Sequence, residues 1–209
     1  MTTNSDLMPI VAAERRAFAG VLEGLSEADW NAFSLCSGWR VREVVAHMTM
    51  PFRYPAPRFL AEMARSRGNF ARMADRVARR DAQAPVGALL DGWRTNEDHP
   101  WKPPGGGRKG ALTHDVVHGL DITIPLGIEH PVSEQALRVV LDQATTPLSS
   151  KHSALDLTGI RLEADDLDWS SGDGEPLRGR ARHLLMVLMD RRLPAGLLTG
   201  AAAVRFTSG

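Results

Sequence analysis

Residues 113–121 read Thr113-His114-Asp115-Val116-Val117-His118-Gly119-Leu120-Asp121. They lie in a stretch, 109–125, that reads as a helix ending at Pro125 or Gly127. Within it His114 and His118 are four positions apart. Four helical steps of about 100° return close to the starting direction, so both imidazoles leave one face about one turn apart. This spacing lets one helix supply two ligands to one metal ion. Asp121 shares that face and is placed to orient a ligand histidine, or simply to solvate the helix end. Asp115 lies about 100° away on the wheel and is the less favoured participant.

A third histidine stands on another apolar turn, Val44-Val45-Ala46-His47-Met48. In a bundle two such helices can face each other and bring three imidazoles together. Three neutral histidines leave a position open on Zn²⁺, which is the catalytic rather than the structural pattern. On spacing alone, a pair four apart is more often chance than a metal site, so convergence with His47 is what the fold must supply. His99, His130, His152 and His183 have no partner at useful spacing and read as structural or surface groups. The single cysteine, Cys36, excludes an intramolecular disulfide and any cysteine-rich zinc site, and reads as a packed thiol.

Moving outward, the chain has 209 residues, 25 Lys+Arg against 25 Asp+Glu, and 43% hydrophobic residues. That balance disfavours nucleic acid as a partner and fits a globular domain with a real core. No apolar run is long enough to span a membrane and no signal peptide is visible, so the expected compartment is the cytoplasm. Helical spacing extends over residues 6–24, from about Trp39 to Met48, and over 57–80, 86–98 and 133–145. Ser26 with Asp29 looks like a helix cap. In 57–80, Phe59, Met63, Phe70, Met73 and Val77 share one face; Arg65, Arg72, Arg76 and Arg79 form a second stripe, read as a solvated face or an anion-docking surface. The run Pro100–Gly107 is read as a flexible connection, because no strand precedes its glycines and no Gly-Lys-Ser/Thr follows. After residue 150 the pattern shifts to strands near Leu155–Leu162 and Leu167–Ser170, a turn at 171–174, and a helix over 178–191. The expectation is mainly α: a helical bundle over 1–150 and a small α/β region over 151–209.

Three segments carry a family resemblance. Cys36-Ser-Gly-Trp-Arg-Val-Arg-Glu-Val-Val-Ala-His47-Met48 resembles a motif of the mycothiol-dependent maleylpyruvate isomerase family, within the larger DinB-like group of metal-binding bundles. His114-Asp-Val-Val-His118-Gly-Leu-Asp121-Ile is similar to its second motif. Asp168–Gly174, Leu177–Gly179 and Leu184–Arg191 resemble its C-terminal region. The resemblance implies a DinB-like four-helix bundle, a divalent metal (usually zinc) on His47, His114 and His118, and mycothiol or another low-molecular-weight thiol as co-substrate. It also implies a glutamate in the isomerase where His114 stands here, so this chain follows the broader three-histidine pattern. The usual helix-capping Ser/Thr is Arg40 here, with Ser37 as the candidate replacement cap. A C-terminal arginine of the family would be one of Arg178, Arg182, Arg191 and Arg192.

The expected chemistry is therefore attack of a metal-bound thiolate on an electrophilic small molecule, giving isomerisation or S-transfer. A hydrolase using metal-bound water, and a non-catalytic metal-binding or stress-response protein, stay open. The sequence leaves monomer and homodimer undecided.

Overall fold

The computed structural model describes residues 7–130, 132–146 and 155–208. Among the described residues eight helices precede the sheet: α1 Met8–Glu23, α2 Glu27–Asn31, α3 Val41–Arg53, α4 Ala56–Arg65, α5 Phe70–Asp81, α6 Val86–Arg94, α7 Gly107–Thr123 and α8 Glu134–Ala144. The fold is mainly helical, as the apolar spacing predicts. Helix α1 packs on α6 and α7, and α3 packs on the same two, so these four close a bundle. Phe18 of α1 and Trp93 of α6 meet edge-to-face at 5.5 Å, and the Trp93 indole N–H donates to the Arg15 carbonyl at 3.0 Å.

The local chemistry explains most boundaries. Ser26 and Asp29 cap α2 reciprocally. At α3 the cap is not Ser37: the Glu43 carboxylate accepts from the Arg40 backbone N–H at 2.8 Å and also grips its guanidinium. Pro51 lies inside α3 rather than ending it, and the helix runs on to Arg53. The stretch 57–80 is two helices, not one. Arg67 and Gly68 both take positive φ, 55° and 75°, and Asn69 caps the helix that follows. Met73 and Val77 of α5 still pack with Phe59 and Met63 of α4, because the hairpin folds the two apolar faces together. The arginine stripe is mostly spent on that hairpin: Arg65 and Arg76 both pair with Glu62, and Arg79 pairs with Asp75.

Of the glycines at 105–107, Gly106 serves close packing rather than a flexible connection, while Gly105 and Gly107 take positive φ, 76° and 58°. A Cβ on Gly106 or Gly110 would come within 2.8 or 2.7 Å of the Pro103 ring. The loop therefore lies tight against the start of α7.

Beyond α8 come β1 Ile160–Ala164, β2 Ser170–Ser171, β3 Glu175–Gly179, α9 Ala181–Leu188 and β4 Leu198–Thr199. The sheet order is β2-β1-β3-β4, with β1 and β3 parallel and the outer pairs antiparallel. The first expected strand begins later than Leu155, the second shrinks to two residues, and β3 replaces the start of the expected last helix. Helix α9 joins this region to the bundle by packing on α7 and α8. The expected division at 150/151 and His152 lie outside the described residues. No helix among the described residues is long and apolar enough to cross a membrane.

His130 is a buried histidine rather than a surface group. It packs on Phe18 and close to Gly119, and its Nδ1 has no partner among the described residues. Burial, aided by the Arg182 charge, holds its pKa down at about 4 against an ordinary 6.5. The neutral form is the one that fits, so its contribution to stability is complete above the ordinary value. It is lost as pH falls, when the unfolded chain takes up the proton first. Between about pH 7 and pH 4 this group alone should remove about 3 kcal/mol of unfolding free energy. Urea titrations should show that slope, and His130→Leu should flatten it; equal slopes in both proteins would contradict the assignment.

Candidate metal centre

Helix α3 and helix α7 meet at the three histidines. The ring of His47 lies 5.3 Å from that of His114 and 5.0 Å from that of His118, and the two α7 rings are 4.9 Å apart. One nitrogen from each imidazole lies within 4.8 Å of the others. The bundle thus brings together all three candidate histidines, the spaced pair on α7 and His47 on α3.

The α7 rings are each held from behind by a carboxylate. His118 Nδ1 lies 2.9 Å from Asp121 Oδ2, and His114 Nδ1 lies 2.9 Å from Asp115 Oδ1. An ionised carboxylate only accepts, so each Nδ1 carries the proton and each Nε2 offers its lone pair. Asp121 therefore orients a histidine, as its place on the wheel allows. Asp115 does the same for His114, against the wheel reading: it is the next residue in the chain and reaches its neighbour sideways.

Each carboxylate is in turn held by an arginine. Arg15, fully buried in α1, donates from Nε to Asp115 at 2.7 Å and from one terminal nitrogen to the His99 carbonyl at 2.8 Å. Arg191, beyond α9, donates to both oxygens of Asp121, at 2.8 and 3.2 Å. Of the four C-terminal arginines considered, Arg191 is the one that reaches the site. Arg178 pairs with Glu163, Arg182 with Glu129, and Arg192 reaches the Thr207 carbonyl. Burial pushes the Asp121 carboxyl up, but the bonds from His118 and Arg191 outweigh it and bring its pKa down to about 2.

Cys36 completes the back of the site. Its thiol donates to Asp121 Oδ2 at 2.9 Å, and Sγ lies 3.8 Å from His118 Nδ1. Burial, followed by the Asp121 charge, pushes the thiol pKa far up, so the group is a neutral donor and not a thiolate. The packed-thiol reading describes its state; its position against the carboxylate was not visible in the sequence. Neither Arg15 nor Arg191 carries a spacing signal, since they lie 100 and 70 positions from the carboxylates they hold.

His47 is anchored differently. Its ring packs tilted against Trp39 at 5.2 Å, and its Nδ1 is buried with no partner among the described residues. Burial lowers its pKa well below the ordinary imidazole value, with the His118 and His114 charges adding to the effect. Burial lowers that of His118 as well. Neutral, lone-pair-bearing imidazoles beside an unanswered buried nitrogen form a donor set that suits a divalent cation of the zinc type.

Above the histidines opens a cavity of about 510 Å³. Met50 of α3, Tyr54 just beyond its end, Phe59 of α4, Phe70 of α5, and Trp101 and Lys102 before α7 line it, with His47, His114 and His118 at its base. Its walls are apolar and aromatic apart from the Lys102 ammonium and the tyrosine hydroxyl.

Comparison with known proteins agrees with this picture. No curated protein sequence matches the chain. Two solved structures share the fold over 97% of both chains at 14% sequence identity. One is a crystal structure of the mycothiol-dependent maleylpyruvate isomerase, with a TM-score of 0.62; the other is a histidine-to-alanine variant of that enzyme, with a TM-score of 0.61. The family model for the mycothiol maleylpyruvate isomerase N-terminal domain matches residues 11–123, a span holding α1, α3 and α7 with all three histidines. The chain therefore belongs to the mycothiol maleylpyruvate isomerase N-terminal domain family.

Proposed function

We propose that this protein is a metal-dependent, thiol-using enzyme of the maleylpyruvate isomerase or mycothiol S-transferase type. The observation that carries the reading is the convergence of His47, His114 and His118 at the base of a ligand-sized cavity. These three residues would hold the metal, with zinc the best match to an all-imidazole set. A divalent cation held there would supply the Lewis acidity that makes a thiol available as its thiolate at neutral pH.

The protein's own groups favour that outcome. Asp115 and Asp121 fix the ring orientations and are themselves neutralised by Arg15 and Arg191. The three ligands are uncharged, so the surroundings offset little of the cation's charge and an anionic fourth partner is favoured over a neutral one. The aromatic walls of the cavity exclude water from the reacting pair and hold an organic electrophile beside the histidines. Mycothiol, glutathione and bacillithiol are the thiols to compare, and mycothiol is expected to be preferred on the strength of the family.

The test is turnover. Protein purified without a histidine tag, loaded with Zn²⁺, should turn over an electrophile only when thiol is present, with the thiol regenerated in isomerisation or consumed in S-transfer. His118→Ala should abolish the rate. Absence of turnover with all three thiols would overturn the reading in favour of a metal-binding protein without catalysis.

A further inference from the structure

The cavity walls say something about what lies in them. This inference takes from the proposed function only that the cavity is the berth of the electrophile. A dicarboxylate would bring two negative charges into a space where, among the described residues, Lys102 is the one cationic side chain on the walls. The guanidinium groups nearby are engaged elsewhere. Arg53 pairs with Asp81, Arg80 with Asp81 and Glu62, Arg15 with Asp115, and Arg191 with Asp121. Arg58 lies over the face of the Tyr54 ring at 4.0 Å and does not line the cavity. A second carboxylate would therefore meet no second cationic side chain among these walls, which is unfavourable against an apolar surface.

One anion, by contrast, is provided for. Among the described residues Lys102 forms no ion pair, and it is exposed, with its loop lying tight against the start of α7. Beneath it the Trp101 ring lies 5.1 Å from the His114 ring, so an apolar body below the ammonium would rest on aromatic faces and reach toward the histidines. Phe70 is half-exposed yet lines the cavity, an arrangement an apolar ligand would complete.

We infer that the cavity takes an electrophile with an aromatic or extended apolar body and a single carboxylate, the carboxylate meeting Lys102 and the body lying on Trp101, Phe59 and Phe70. A small dicarboxylate is a poor fit.

The test is binding rather than turnover, so it stands apart from the thiol assay. Full-length protein stripped of metal with a chelator would be titrated calorimetrically with 2-naphthoate, with the neutral analogue 2-naphthalenemethanol, and with fumarate. The naphthoate should bind at least about tenfold more tightly than fumarate, as expected when apolar burial dominates the contact. Lys102→Met, an exposed substitution that keeps the alkyl stem, should weaken naphthoate about fivefold, the weight of one solvent-accessible ion pair, and leave the alcohol unchanged. Phe70→Ser should weaken both aromatic ligands. Fumarate binding as tightly as naphthoate, no naphthoate binding, or indifference to Lys102→Met would each overturn the inference. If naphthoate binds as described while no thiol turns over, the proposed function fails and the ligand class stands.

Discussion

Replacing His118 with alanine is expected to take the protein from about one equivalent of bound divalent metal to background, because two imidazoles cannot hold the ion that three hold. Metal analysis of protein purified without a histidine tag measures this directly, and His114→Ala should behave the same way. The neighbouring carboxylate offers a graded comparison. Asp121→Asn keeps the shape but removes the charge that His118, Arg191 and Cys36 all address. It should weaken metal affinity by roughly 10- to 100-fold without abolishing it. The contrast separates a ligand from the group that aims it. Unchanged metal content in both histidine variants would end the metal-centre reading.

The second large effect belongs to stability. Asp115→Ala should destabilise the fold by about 3–5 kcal/mol, since it leaves the Arg15 guanidinium buried with no counter-charge. The Arg15 side chain is 0% exposed, and its carbonyl contacts to residues 96, 97 and 99 are too few to replace an ion pair. The companion protein carries Arg15→Met together with Asp115→Leu. It should recover much of the loss, because neither charge then remains to be solvated. Chemical denaturation of the two proteins checks both statements. A single Asp115→Ala variant within about 0.5 kcal/mol of the parent would place the pair among ordinary surface contacts.

The helices and the three histidines were legible because each depends on short-range spacing. Four positions on α7 put His114 and His118 on one face whatever the rest of the chain does. His47 stood out by being polar in an apolar turn. The errors arose where the determining contact is not periodic. The break at Arg67–Gly68 is a backbone excursion to positive φ, marked only by Gly68 followed by the capping Asn69. Strand β3, Glu-Pro-Leu-Arg-Gly, has a single buried aliphatic side chain, Leu177, and depends on its parallel register with β1, which no local pattern encodes. The wheel dismissed Asp115 because it treats a helix as a set of faces, whereas a short carboxylate can bend across to the ring beside it. Cys36, Arg15 and Arg191 join the site through contacts 85, 100 and 70 positions apart along the chain, and a single sequence holds no spacing for such contacts.

The two arginines give the site a dependence on the order of synthesis. Arg15 emerges from the ribosome early and can meet Asp115 once α7 has formed, whereas Arg191 follows Asp121 by seventy positions. A nascent chain that has just cleared α7 holds every candidate ligand, yet one of its two orienting acids still lacks its counter-charge. Full tuning of the centre therefore waits for the segment that carries Arg191, and an isolated fragment ending near residue 123 would be an incomplete stand-in for the whole centre.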